Sequence, residues 1–86
     1  MSKKELFENM YRLTTQLKGA PIKEYEKQAI VEEFNQADGS PFERAETAIA
    51  KVMHGKPSFI HEQGEALESV DRLINDVRKA AEELDR

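Results

Sequence analysis

The stretch from Ser58 to Arg86 constrains this chain more than any other. Its larger apolar residues fall at Ile60, Leu67, Val70, Ile74, Val77, Ala81 and Leu84, and from Leu67 onward they are spaced 3, 4, 3, 4 and 3 residues apart. That spacing lines them up on one seam of an amphipathic helix, close to a strict heptad. No proline follows Pro57, so the pattern predicts one helix running to Arg86, with Gly64 as its interior weak point or bend. Such a helix would reach on the order of 40 Å. It cannot bury its own seam, so the rest of the chain or another molecule must cover it.

Three shorter helices precede it. Ser2-Lys3-Lys4-Glu5 reads as a capping box. Leu6, Met10, Leu13 and Leu17 then form one face, widened by Phe7, Tyr11 and Thr14, and Gly19 with Pro21 supplies the stop. A second helix is predicted from about Ile22, with Ile22, Tyr25, Ala29, Ile30 and Phe34 inward, ending before Asp38-Gly39-Ser40-Pro41. Ser40-Pro41-Phe42-Glu43 is the clearest local signal: Ser40 caps, Pro41 sits where its missing N–H costs nothing, and Glu43 closes the box. Phe42, Ala45, Ala48, Ile49, Val52 and Met53 face inward on the third helix. Gly55 is its predicted left-handed C-terminal residue, with His54 and Lys56 complementing the dipole. Ser58 is the predicted cap of the last helix.

The sum is an all-α chain: a single domain over residues 1–86, folded as an antiparallel four-helix bundle with a long C-terminal helix. The first three helices would span about 20–25 Å each. The second half of the last helix then overhangs, and its seam is the expected partner-binding surface: Val70, Leu73, Ile74, Val77, Arg78, Ala81 and Leu84. Phe59, in the first turn after a tight loop, either packs as core or projects as an anchor. A protein partner or a second copy, giving a homodimer, are the occupants this pattern invites.

Composition narrows the classes. With 86 residues the core is small, burying about 60–65% of the unfolded surface. The chain has no cysteine, which excludes disulfides, thiolate metal sites and cysteine nucleophiles. Net charge is −4 with each Lys or Arg set among acids, so no basic stripe predicts nucleic-acid binding. The first ten residues hold no apolar leader-like run, and no apolar stretch is long enough to span a membrane. A cytoplasmic protein without an integral membrane segment is the resulting expectation.

Little in the sequence points to catalysis. His54 and His61 lie seven apart across a helix break, a poor arrangement for a metal even with Glu62 nearby. Glu32-Glu33 and Glu82-Glu83 read as solvated helix faces. Ser40 and Ser58 are accounted for as caps, and the turns at Gly39 and Gly55 lack phosphate-loop spacing. The expectation is a non-enzyme without cofactor or metal.

One segment carries a resemblance. Arg44-Ala45-Glu46-Thr47-Ala48-Ile49-Ala50-Lys51-Val52-Met53-His54-Gly55-Lys56-Pro57-Ser58-Phe59-Ile60, continuing to Ala66-Leu67, resembles the central part of immunity proteins for pediocin-like bacteriocins. In that family an Ala/Leu-rich helix ends in a short Gly/Lys/Pro loop and an apolar pair opens the next helix. The resemblance implies a cytosolic antiparallel four-helix bundle that protects the producing cell without catalysis. It implies action on the bacteriocin-bound mannose permease from the inner membrane face. Recognition in the family is attributed mainly to the C-terminal half, here the last helix; no invariant binding residue is carried over. The alternative is a small self-associating helical adaptor or regulator that uses the C-terminal helix as its interface.

Overall fold

The computed structural model describes residues 3–55 and 57–84. Among them are five helices: α1 (Lys3–Lys18), α2 (Glu24–Gln36), α3 (Pro41–Val52), α4 (Pro57–Ala66) and α5 (Glu68–Leu84). No strand occurs among the described residues. The all-α expectation holds, and the helices pack as a bundle. α1 lies along α5 and α2 along α3, while α3 also meets α5, α4 and α1.

α1 and α2 run antiparallel. Early in α1, Phe7 meets Phe34 of late α2 edge-to-face, with ring centroids 5.3 Å apart. At the other end, Lys18 of α1 reaches Glu26 of early α2 at 2.7 Å. At the α2–α3 turn, the Arg44 guanidinium lies over the Phe34 ring at 4.3 Å, and its Nε donates to the Phe34 carbonyl at 3.1 Å.

The local signals act largely as the residues dictate. Gly19 takes φ +75 and donates its N–H to Thr15 O, closing α1. Ser40 Oγ accepts from Glu43 N–H at 3.3 Å, and Glu43 Oε1 accepts from Ser40 N–H at 3.4 Å, the predicted box. The Ser2 capping box lies outside the described residues, as does Lys56. Three assignments shift. α2 starts at Glu24, so Ile22 and Pro21 precede it. Ser58 falls inside α4, which begins at Pro57, and is not its cap. His54, not Gly55, takes the left-handed conformation after α3, at φ +58, while Gly55 N–H reaches back to Ala50 O at 2.8 Å.

The largest departure is in the C-terminal stretch. The expected single helix is two, parted at Leu67. The Leu67 carbonyl accepts from both Val70 N–H and Asp71 N–H at 3.1 Å, so this residue starts α5 while its own N–H still bonds Gln63 O. The physical reason is one of reach. The molecule measures 31 × 25 × 20 Å. The 17 residues of α5 span about 26 Å and fit within it, whereas the continuous helix would not. Breaking the helix leaves a few backbone hydrogen bonds to be remade, each worth about 1 kcal/mol net. Folding α5 back buries Val70, Ile74 and Val77 in the core with Leu6, Met10, Leu13 and Ile49. Each such side chain contributes about 1.5–3 kcal/mol as an upper estimate, so burial wins.

Candidate functional site

With α5 folded back, the seam no longer overhangs. Val70, Ile74, Val77 and Ala81 are buried in the core. Leu73 and Leu84 are partly buried against that core. Arg78 is half-buried, its guanidinium over the Phe42 ring at 4.6 Å and its Nη1 bonded to Asn75 Oδ1 at 3.1 Å. Phe59 is also half-buried. The chain's own α1 and α3 therefore cover what was expected to await a partner.

Two large apolar side chains are exposed among the described residues: Leu67 at 49% and Tyr25 at 66%. Leu67 stands at the α4–α5 elbow. Its backbone is committed to starting α5, which leaves the side chain outside. Gly64, one turn earlier, lets the elbow close: a Cβ there would lie 2.8 Å from Ile74 Cδ1. On α4, His61 Nε2 lies against Glu46 Oε2 of α3.

Tyr25 stands on a groove between α2 and the end of α3 with a volume of about 520 Å³. Its apolar lining comes from Ala29 on α2 and from Val52 and Met53 at the end of α3. Lys18 reaches it from α1, and His54 closes one side in its left-handed conformation. An ion pair sits at each end: Lys18 with Glu26 at 2.7 Å, and Lys51 with Glu33 at 3.2 Å. Hydrogen bonds from Lys18 Nζ and from the Lys23 N–H hold the Glu26 carboxyl below its ordinary range. Glu33 Oε2 is buried and, its Lys51 neighbour aside, accepts no hydrogen bond.

The sequence pattern put Tyr25 inward, and it is outward because Glu26 took the inward position. Glu26, Ile30 and Phe34 are buried at four-residue spacing, with Glu26 only 9% exposed. A signal for this was present. Glu26 lies three residues after Lys23 and accepts its N–H at 2.9 Å, half of a capping box that starts the helix later than Pro21 suggested. His54 left a fainter trace: histidine is among the non-glycine residues that tolerate positive φ.

A second, more open groove of about 580 Å³ lies between α1, the α1–α2 connection and α5. Tyr11, Ile22 and Leu73 line it, with Arg12 and Lys27 as its cations. The Lys27 ammonium stands over the Tyr11 ring at 5.6 Å, and burial together with the Glu24 charge pushes the Tyr11 phenol up.

Among the described residues no group of three or more His, Asp or Glu could hold a metal, and His54 and His61 are not brought together in one. No helix among them is long and apolar enough to cross a membrane. No protein-family model, curated protein or solved structure matches this chain.

Proposed function

We propose that this chain is a non-catalytic, cytoplasmic interaction protein of the immunity type that the Arg44–Leu67 segment resembles. Its partner is a protein assembly, in that reading a bacteriocin-bound receptor approached from the inner membrane face. The observation that carries the proposal is Leu67, a large aliphatic residue left 49% exposed at the α4–α5 elbow. An exposed apolar anchor is the kind of feature that centres a protein interface. It also falls within the C-terminal half, where the family resemblance puts recognition.

The adaptor alternative, self-association through the α5 seam, has lost its surface, because Val70, Ile74, Val77 and Ala81 already serve the core.

Expression in a bacteriocin-sensitive host tests the reading. The chain should protect against at least one pediocin-like peptide, and Leu67→Asp should remove protection while leaving the circular dichroism spectrum and melting curve of the purified protein as they were. Absence of protection against every such peptide, from a well-expressed folded chain, sinks the proposal.

A further inference from the structure

We propose that α4 is a lid: it lifts off α3 and α5 as one unit, on hinges at His54–Gly55 and Leu67, while the other four helices stay folded. This motion is a property of the fold and is independent of the immunity reading.

Burial is shared unevenly among the helices. α1 sinks four side chains into the core, α2 three and α5 five. From Ser58 to Ala66 the one buried side chain of α4 is Ile60, because the other buried position is Gly64, which has none. Polar ties are equally sparse. Among the described residues no side-chain hydrogen bond starts or ends on α4, and its one ionic contact with another helix is His61 against Glu46 of α3.

α4 also has little helical stability of its own. It is 10 residues long, and helices shorter than about 12–15 residues are marginal in water. Gly64 lies inside it, where glycine is a poor helix former. Glu65 stands in its last turn, with no basic residue there to meet the negative end of the dipole. α4 therefore keeps its shape by docking, and docking rests on one apolar side chain and one ion pair.

The flanking helices do not need it. α3 is closed by its own bonds, Met53 N–H to Ile49 O at 3.0 Å and Gly55 N–H to Ala50 O at 2.8 Å, before His54 turns the chain away at φ +58. α5 begins on the Leu67 carbonyl, and the one backbone hydrogen bond that crosses the elbow is Leu67 N–H to Gln63 O at 2.8 Å. α1 packs along α5, α2 along α3, and α3 against α5 and α1, with none of these pairings passing through α4. Lifting α4 bares the tip of Ile74, which lies against Gly64, and Glu46 Oε2, which is buried with no partner besides His61. An aliphatic tip and a carboxylate are thus covered and uncovered together.

Native-state hydrogen exchange of the full chain, read by NMR, tests this. The amides of His61 to Leu67 should share one protection factor, at least about tenfold below that of the slowest amides of α1, α3 and α5. Ile30→Val, on α2, weakens the closed and lid-open forms alike. It should speed the slowest core amides about twofold to tenfold and leave those of α4 unchanged. Ile60→Val removes a contact that both kinds of opening lose, so it should speed the α4 and core amides by the same factor. The proposal is overturned by α4 amides as protected as the slowest in the core, or by α4 amides that Ile30→Val speeds as much as the core. Protection that declines steadily from one end of α4 also overturns it, because that is fraying and not a lid.

Discussion

Gly64 of α4 lies directly against Ile74 of α5: a Cβ at position 64 would come 2.8 Å from Ile74 Cδ1. The Asp71 Cα follows at 3.6 Å from the same point, an ordinary contact. The absence of a side chain at position 64 therefore leaves room for the tip of Ile74 where the last two helices approach. That approach puts Ile74 into the core and ends the overhang a continuous helix would have had.

Gly64→Ala pits two effects against each other. Alanine favours the helix by about 1 kcal/mol, less so near an end. The new methyl displaces a buried Ile74 terminus, and overpacking costs about 1–3 kcal/mol. The clashing atom is the far end of a flexible side chain, which can turn aside, so the two effects nearly cancel and stability should shift by less than about 1 kcal/mol. Ile74→Val removes the clashing carbon and alone should cost about 1 kcal/mol. Together the two should cost less than their sum, because each relieves the other. Urea midpoints of the four proteins measure the coupling, and strict additivity would show that the contact does not restrain the elbow.

Val77→Asp separates a core seam from a surface seam. On an overhanging helix the aspartate would leave the monomer folded and block association. Val77 is 1% exposed, so the carboxylate must instead be buried without a partner or unfold its surroundings. That penalty of several kcal/mol is comparable with the whole stability of a chain this size, about 5–10 kcal/mol. Far-ultraviolet circular dichroism should show a largely unfolded chain at room temperature. A folded, soluble monomer would refute the packing of α5 on α1.

The residues that made the fold legible are those whose signals are local. Ser40 with Glu43, Gly19 after α1, and the Leu6–Met10–Leu13 face each act within one or two helical turns, and each does what its spacing implies. The spacing after Leu67 marks an apolar helical seam, expected from the sequence to overhang and await a partner. That the chain's own α1 covers it does not show in the sequence, because whether Leu67 continues a helix or starts one depends on what lies across from Val70, and α1 is some fifty residues away. The candidate surfaces were least legible for the same reason. Tyr25 and Leu67 both sit at apolar-periodic positions, and only the register of a helix start at Glu24 and a break at Leu67 turns them outward.

His54→Gly should stabilise the protein. At φ +58 a histidine occupies a region that costs L-residues about 1–2 kcal/mol and glycine almost nothing. Part of the gain is lost to the greater freedom of glycine in the unfolded chain. The net should be about 0.5–1 kcal/mol, seen as a higher urea midpoint with unchanged slope. Strained residues cluster at binding surfaces, and His54 lines the Tyr25 groove. A fall in stability would show that the histidine side chain has a structural role outweighing its backbone.

Glu26 gives the fold an acid dependence whose sign follows from its partners. Lys18 Nζ at 2.7 Å and the Lys23 N–H at 2.9 Å both favour the ionised carboxylate, and they hold its pKa below the ordinary value. A carboxyl depressed in the folded state stabilises that state at any pH above its unfolded value of about 4.3, and the contribution disappears as pH falls through the folded value. Glu26→Gln keeps an oxygen for the Lys23 N–H but offers Lys18 no charge. At neutral pH the wild type should therefore have the higher urea midpoint, and the difference should shrink steadily below about pH 4 as Glu26 takes up its proton. A difference that persists undiminished in acid would mean that the shape of the side chain, not its charge, joins α1 to the start of α2.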